Sequence, residues 1–421
     1  MSLTRNSTIY LLSNIINAAI PFLLLPILTR TLSPEEYGQV AMFQTFIVGL
    51  TAFVGVNSIG AANRKFYDEG NSKKELSKFN GACIQILLGS SLILLILAYI
   101  FIDSLKLFLS IPASWIYSAL LVSILIFILN FRLGQWQVRG EAIKYGALQI
   151  CNSILNMGLS LLLVVVLHHG SQGRVDGQII AAVLVSVIAL FLLKKDKLVK
   201  LYAWRPDLIK QILSFGIPLI PHIFGVFLLS AVDRFVINQK LGLSQAGIYM
   251  VAVQLSMALS VIFDAINKAY VPWLYDILKH NRANEKRMVV KYTYYYFFLL
   301  MLLVPVILFI SPWILTFVSG EKYSSASQII GLLCFGQILN GMYLMVTNYV
   351  FYAKKTGKLA IVTISSGLIN IFLLFILIEK LGVLGAALAF LISKCIQFLF
   401  TWILASRVVQ MPWFIFRKYD L

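Results

Sequence analysis

Read for hydrophobic pattern, the chain is a series of apolar runs of about 20 residues separated by short polar stretches, the length a helix needs to cross about 30 Å of hydrocarbon. The runs predict twelve spans. The first six lie near 8–29, 37–58, 81–101, 114–133, 146–168 and 177–193. The second six lie near 212–232, 247–270, 292–318, 328–352, 359–378 and 384–406. Each is bounded by a charge or a Gly/Pro cluster. The segment Met1–Ser7 is short and polar, and the apolar run after it lacks a small-residue cleavage site, so the first span is expected to be retained.

Composition removes the alternative of a water-soluble fold. Of 421 residues, 60% are hydrophobic and 12% charged, with a mean hydropathy of +0.87. A soluble domain carries roughly 25% charged residues. The predicted class is therefore an all-α membrane protein. The loops leave no room for a soluble domain, and no GxxxxGK[ST] run offers a P-loop, so an enzyme is not expected. Energy for any transport must come from an ion or substrate gradient. Cys83, Cys151, Cys334 and Cys395 lie inside apolar runs without CxxC spacing and read as small core residues. No His/Cys/carboxylate cluster has metal spacing, and neither a metal nor a cofactor is expected.

The net charge of +18 could suggest nucleic acid, but its distribution argues otherwise. With the N-terminus in the cytoplasm, the inner segments hold 27 of the 35 Lys and Arg residues. The outer segments hold seven: Arg30, Lys106, Arg174, Arg234, Lys240, Lys322 and Lys380. The remaining one, Lys394, is left inside a span. This asymmetry predicts both termini in the cytoplasm and accounts for most of the charge without an anionic partner.

The chain also looks duplicated. Leu32-Ser33 and Val40-Ala41 recur as Leu243-Ser244 and Val251-Ala252, and Asn156 matches Asn370. Gly177, Ala181 and Ser186 resemble Gly385, Ala389 and Ser393. The near-constant offset predicts two six-helix bundles, residues 1–200 and 201–421. They are expected to be related by a pseudo-twofold axis along the membrane normal, with a central cavity between them.

Several residues could carry chemistry. Pro21 and Pro26 in the first span, and Pro218 and Pro221 in the seventh, mark kinks that are either static or part of a moving helix. Amides in the spans, Asn156 and Asn370 among them, serve either as interhelical glue or as a polar lining able to bind sugar hydroxyls. Asp264 and Lys268 stand four apart on one helix face. They read as an ion pair, or with Lys268 as a snorkelling anchor. His222 beside Pro221 and Asp264 are candidate proton-linked groups, a structural histidine being the alternative. Arg30, Arg64 and the Asp233-Arg234 pair sit at span ends, as solvated anchors or as cavity cations. Tyr292, Tyr294, Tyr295 and Tyr296 read as an interfacial belt. Lys394, near the middle of the last span, either pairs structurally or faces a wet cavity.

The run LTRTLSPEEYGQVAMFQTF (28–46) resembles the first loop of polysaccharide-exporter-family flippases. SFGIPLIPHIFGVFLLSAVDRFVINQKLGLSQAGIYMVA (214–252) is similar to their middle motif, with Gly216, Pro218, Pro221 and the Asp233-Arg234 pair. EKYSSA (321–326) and GVLGAALAFLIS (382–393) resemble two later motifs. The nearest type is the O-antigen flippase (Wzx type) of the multidrug/oligosaccharidyl-lipid/polysaccharide (MOP) superfamily. The resemblance implies a MOP flippase-like fold in the bacterial inner membrane. It implies transfer of an undecaprenyl-pyrophosphate-linked oligosaccharide from the cytoplasmic to the periplasmic leaflet, with ion coupling. The polymerase and chain-length regulator of the same glycan pathway would be its candidate partners. On this reading Lys394, Asp264, Lys268, Arg30, Arg64, Arg234, Asn156 and Asn370 are the candidate substrate-binding set. A drug/cation antiporter of the superfamily is one alternative, though it would want more acidic cavity residues. An O-antigen polymerase is another, disfavoured by the absence of a large outer loop.

Overall fold

The computed structural model describes residues 3–68, 72–202, 204–280 and 282–413, and among them there is no strand. The helices are α1 (Leu3–Thr31), α2 (Pro34–Leu50), α3 (Ser58–Lys65), α4 (Lys73–Ile100), α5 (Ile102–Leu109), α6 (Ala113–Val138), α7 (Ala142–Leu161) and α8 (Gly170–Lys195). They continue as α9 (Pro206–Gly216), α10 (Ile220–Ser230), α11 (Val232–Leu241), α12 (Leu243–His280), α13 (Ala283–Ser319), α14 (Ser327–Tyr352), α15 (Thr356–Leu381) and α16 (Val383–Val408). Eleven helical segments are long and apolar enough to span a membrane, or twelve if the bent pair Pro34–Leu50 and Val54–Lys65 counts as one. The protein is a multi-pass α-helical membrane protein.

Local sequence chemistry starts several of these helices. Ser33 and Glu36 form a reciprocal capping box at α2, with Pro34 at the first helical position. Ser72 and Glu75 do the same for α4. Each box satisfies two backbone donors that the first turn leaves unpaired. The prolines act unequally. α1 runs through Pro21 and Pro26 as one helix, whereas Ile217–Leu219, around Pro218, form a 3-10 turn between α9 and α10.

The chain forms two compact units. The first holds residues up to Phe227 and also Gly242–Gly247; the second holds Leu228–Leu241 and the chain from Ile248 onward. In the first unit the second span is bent by 46°. Gly55, Val56 and Asn57 take positive φ values of 69°, 47° and 50° there. Two side-chain-bearing residues in the left-handed region store strain, which the surroundings must hold in place. Ser90 of α4 accepts the Gly55 N–H at 2.9 Å, so a backbone donor freed at the bend is satisfied by protein. The duplicated Leu-Ser segments also meet inside this unit. A Cβ at Gly38 would strike the Leu243 carbonyl, and one at Gly247 would strike the Pro34 carbonyl. Only glycine allows the two helix starts to approach this closely.

In the second unit α13, α14 and α16 pack around an apolar core that includes Phe297, Ile338, Val346, Tyr349 and Phe398. An aromatic cluster closes one end: Tyr294, Phe297, Phe398, Trp402 and Trp413 lie with ring centroids 5.4–6.4 Å apart. Tyr294 donates to the Trp413 carbonyl at 2.6 Å. Of the four tyrosines at 292–296 of α13, Tyr292 and Tyr295 are exposed as a belt requires, while Tyr294 turns inward.

Candidate functional site

Four basic side chains are buried among the described residues: Arg132, Arg174, Arg234 and Lys394. Two have carboxylates. Arg132 meets Asp196, and Arg234 lies 3.9 Å from Asp233. The other two have neutral partners only, and neither joins an ion pair among the described residues.

Lys394, 9% exposed, sits midway along α16. Its ammonium donates to Asn340 Oδ1 of α14 at 3.1 Å and to Gln397 Oε1 at 3.4 Å. It lies 5.7 Å from the centroid of the Phe390 ring. A lysine at the centre of a span costs about 2.5–3.5 kcal/mol on insertion scales. Amide oxygens offset the lost hydration but leave the charge uncancelled. Gly385, Ala386, Ala389 and Ser393 place small residues along α16, which brings its backbone close to its neighbours.

Arg174, 9% exposed, is the counterpart in the first unit. From α8 it donates to Asn156 Oδ1 and to Ser160 Oγ of α7, both at 2.6 Å. By sequence it falls with the outer segments, because it lies near the start of a span. It turns inward because α8 carries Gly173 and Gly177 on the side that meets α7, where a Cβ would crowd Leu163 and Ser160. That glycine spacing is the signal that points to its burial.

The remaining candidates fall in different settings. Asn156 ties α7 to α8 through Arg174. Its repeat partner Asn370 is 1% exposed and ties α15 to α16, accepting from Ser393 at 3.3 Å, while its amide donates to the Leu228 carbonyl at 3.3 Å. Asp264 and Lys268 form an ion pair of 2.6 Å on α12, both about half exposed. Arg30 ends α1 and is exposed. Arg64 is also exposed, its guanidinium 5.7 Å from the Phe215 ring. Arg234 is buried with Asp233, which accepts from Tyr249 at 2.6 Å, so this pair is an interior cluster and not a solvated anchor. The His222 side chain lies outside the described residues. Within the second unit Lys394 pairs with amides and not with Asp264.

Other span amides join helices. Asn14 accepts from Gln149 at 3.1 Å, Asn17 accepts from Ser153, and Asn348 donates to Asn267 at 2.7 Å. No group of three or more metal-ligating side chains occurs among the described residues.

Comparison with known proteins agrees with this architecture. The chain is 28% identical over 381 residues to "Lsg locus putative protein 1" of Haemophilus influenzae, covering 88% of this chain and 90% of that one. It is 23% identical over 427 residues to "Putative O-antigen transporter" of Shigella flexneri, covering 95% and 98%. Its fold matches the solved structure of lipid II flippase MurJ in an inward closed conformation, with a TM-score of 0.75 at 18% identity, over 96% of this chain and 87% of that one. The sequence profile described as polysaccharide biosynthesis protein matches residues 3–278. The chain belongs to the polysaccharide biosynthesis protein family.

Proposed function

We propose that this protein is a flippase for an undecaprenyl-pyrophosphate-linked oligosaccharide, an O-antigen or similar repeat unit. It moves the headgroup from the cytoplasmic to the periplasmic leaflet of a bacterial inner membrane, with both of its termini in the cytoplasm. The observation that carries the reading is Lys394: a cation buried mid-span whose hydrogen-bond partners are the neutral Asn340 and Gln397. Such a charge attracts an anion, and a pyrophosphate meets that need. Arg174 adds a second cation of the same kind. Amides beside each cation suit sugar hydroxyls. The relatives named above support the same substrate class.

In this proposal Lys394 and Asn370, with Arg174 and Asn156, belong to the substrate path. Arg30, Arg64 and Arg234 are further cations along it. Asp264 with Lys268 is the proposed proton-linked pair, ion coupling being the proposed energy source. The polymerase and chain-length regulator of the same glycan pathway are the proposed partners.

Deletion of the gene tests the reading. The expected result is loss of polymeric surface glycan, with lipid-linked repeat units accumulating on the cytoplasmic leaflet. A deletion strain that keeps a normal glycan ladder and gains drug sensitivity would replace it with the drug/cation antiporter.

A further inference from the structure

Arg132 is 1% exposed in the last two turns of α6, yet its hydrogen bonding is incomplete. One nitrogen, Nη2, donates to Asp196 Oδ2. Nε and Nη1 are buried without a hydrogen-bond partner, and so is the indole N–H of Trp136 one turn on. The guanidinium carbon lies 4.0 Å from the centroid of the Trp136 ring, a cation–π contact that meets none of these donors. Leaving such donors unmet is costly, and more so when they carry charge. Arg139 follows one further turn along, held by the Gln135 carbonyl and side chain at 2.7 and 2.8 Å. Asp196 thus makes its ion pair with Arg132, while Arg139 is held by Gln135 and the Glu141 carboxylate also acts on Arg132.

Asp196 is the exposed member of the pair: its side chain is 43% exposed, against 1% for Arg132. The segment that bears it is strapped to α4. Asn80 donates to the Leu198 carbonyl at 3.0 Å, Ser77 accepts the Lys200 N–H at 2.9 Å, and Gln85 donates to the Leu201 carbonyl at 2.6 Å. Gly81 lacks the Cβ that would strike the Lys200 carbonyl. The same Asn80 also donates to Gln135 at 3.1 Å, so strap and arginine face share one network.

We propose that this end of the first unit is a binding site for a phosphate-type oxyanion, with Asp196 as a resident counter-ion that the ligand displaces. A phosphate group presents several acceptor oxygens where Asp196 supplies one contact to Arg132. It would occupy Nη2 and reach the donors now unpaired, the arrangement for which a guanidinium fork is suited. The ligand is a phosphate ester or pyrophosphate, borne by an anionic lipid headgroup or free in solution. The inference does not rest on the transport reading, because the site is tested by binding and not by turnover.

The full-length protein in neutral detergent is titrated with inorganic pyrophosphate, read by calorimetry and by the thermal midpoint. In parallel it is placed in nanodiscs of phosphatidylcholine alone or with phosphatidylglycerol, and native mass spectrometry counts retained anionic lipid. Asp196→Asn removes the competing charge and keeps the side-chain shape. It is expected to bind about tenfold more tightly than wild type, and Arg132→Gln to lose binding. A gain with pyrophosphate identifies a free anion; a gain only in phosphatidylglycerol retention identifies a headgroup. If Arg132→Gln fails to fold, Asp196→Asn decides by itself. No gain with either probe would leave the pair as a structural tie and overturn the proposal.

Discussion

Arg174 donates a hydrogen bond of 2.6 Å to the side-chain oxygen of Asn156, so a full charge on α8 rests on a neutral amide of α7. Asn370, matched to Asn156 by sequence offset, instead accepts at its amide oxygen from Ser393. One amide of the pair therefore holds a cation while the other holds a hydroxyl. In the second unit the cation appears one residue beyond that serine, as Lys394, and takes its amides from Asn340 and Gln397.

Separating charge from packing at Arg174 gives the first prediction. Asn156→Ala removes one of two hydrogen-bond acceptors and should cost about 1–3 kcal/mol, seen as a lower thermal midpoint. Asn156→Asp supplies a counter-charge in nearly the same volume. It should keep or raise the midpoint yet reduce glycan export, because the anion-attracting charge is cancelled. Export at wild-type level in Asn156→Asp would remove Arg174 from the substrate path.

At Lys394 the retained quantity should be the charge. Lys394→Arg is expected to keep substantial export, and Lys394→Ala and Lys394→Glu to lose it while the protein still reaches the membrane. Surface-glycan recovery in a deletion strain, normalised to inserted protein, is the measurement. Full recovery with Lys394→Ala would reduce the residue to packing.

The Asp264–Lys268 pair is half exposed, and such pairs contribute about 0–1 kcal/mol to stability. Neutralising either residue should leave the thermal midpoint nearly unchanged. If the pair is proton-linked, each neutralisation impairs export and exchanging the two charges restores part of it. Silent single variants would make both residues anchors.

Gly38→Val should be among the most damaging single changes in the first unit, since its side chain would meet the Leu243 carbonyl, which cannot rotate away. Loss of folded protein, read as monodisperse yield in detergent, is expected. Gly89→Ala, where nothing lies within 4 Å, serves as the tolerated control.

Orientation is tested by cysteines labelled with an impermeant thiol reagent in intact cells. Cysteines at Lys73 and Lys194 should stay unlabelled, and those at His169 and Lys322 should react. All four positions are exposed, which makes them usable where buried Arg174 is not. Labelling at Lys194 from outside would reverse the topology.

The sequence by itself determined the class of the molecule and, to within one bent pair, the number of its spans. Span length is a local sum of side-chain transfer energies, so runs such as 359–378 and 384–406 reappear as α15 and α16 with boundaries shifted by a few residues. It also singled out Lys394, because a charge in the middle of an apolar run is costly wherever its helix packs. Tertiary structure decided what each polar group meets. Arg174, Asp233 and Arg234 lie near helix starts or ends, where periodicity cannot tell water from a neighbouring helix, and packing buried all three. The bend at Gly55–Asn57 likewise depends on Ser90, 35 residues along, accepting the Gly55 N–H. Hydropathy is additive along the chain and can be read from it. Which donor finds which acceptor depends on helices brought together from distant parts of the chain, and only the fold supplies that.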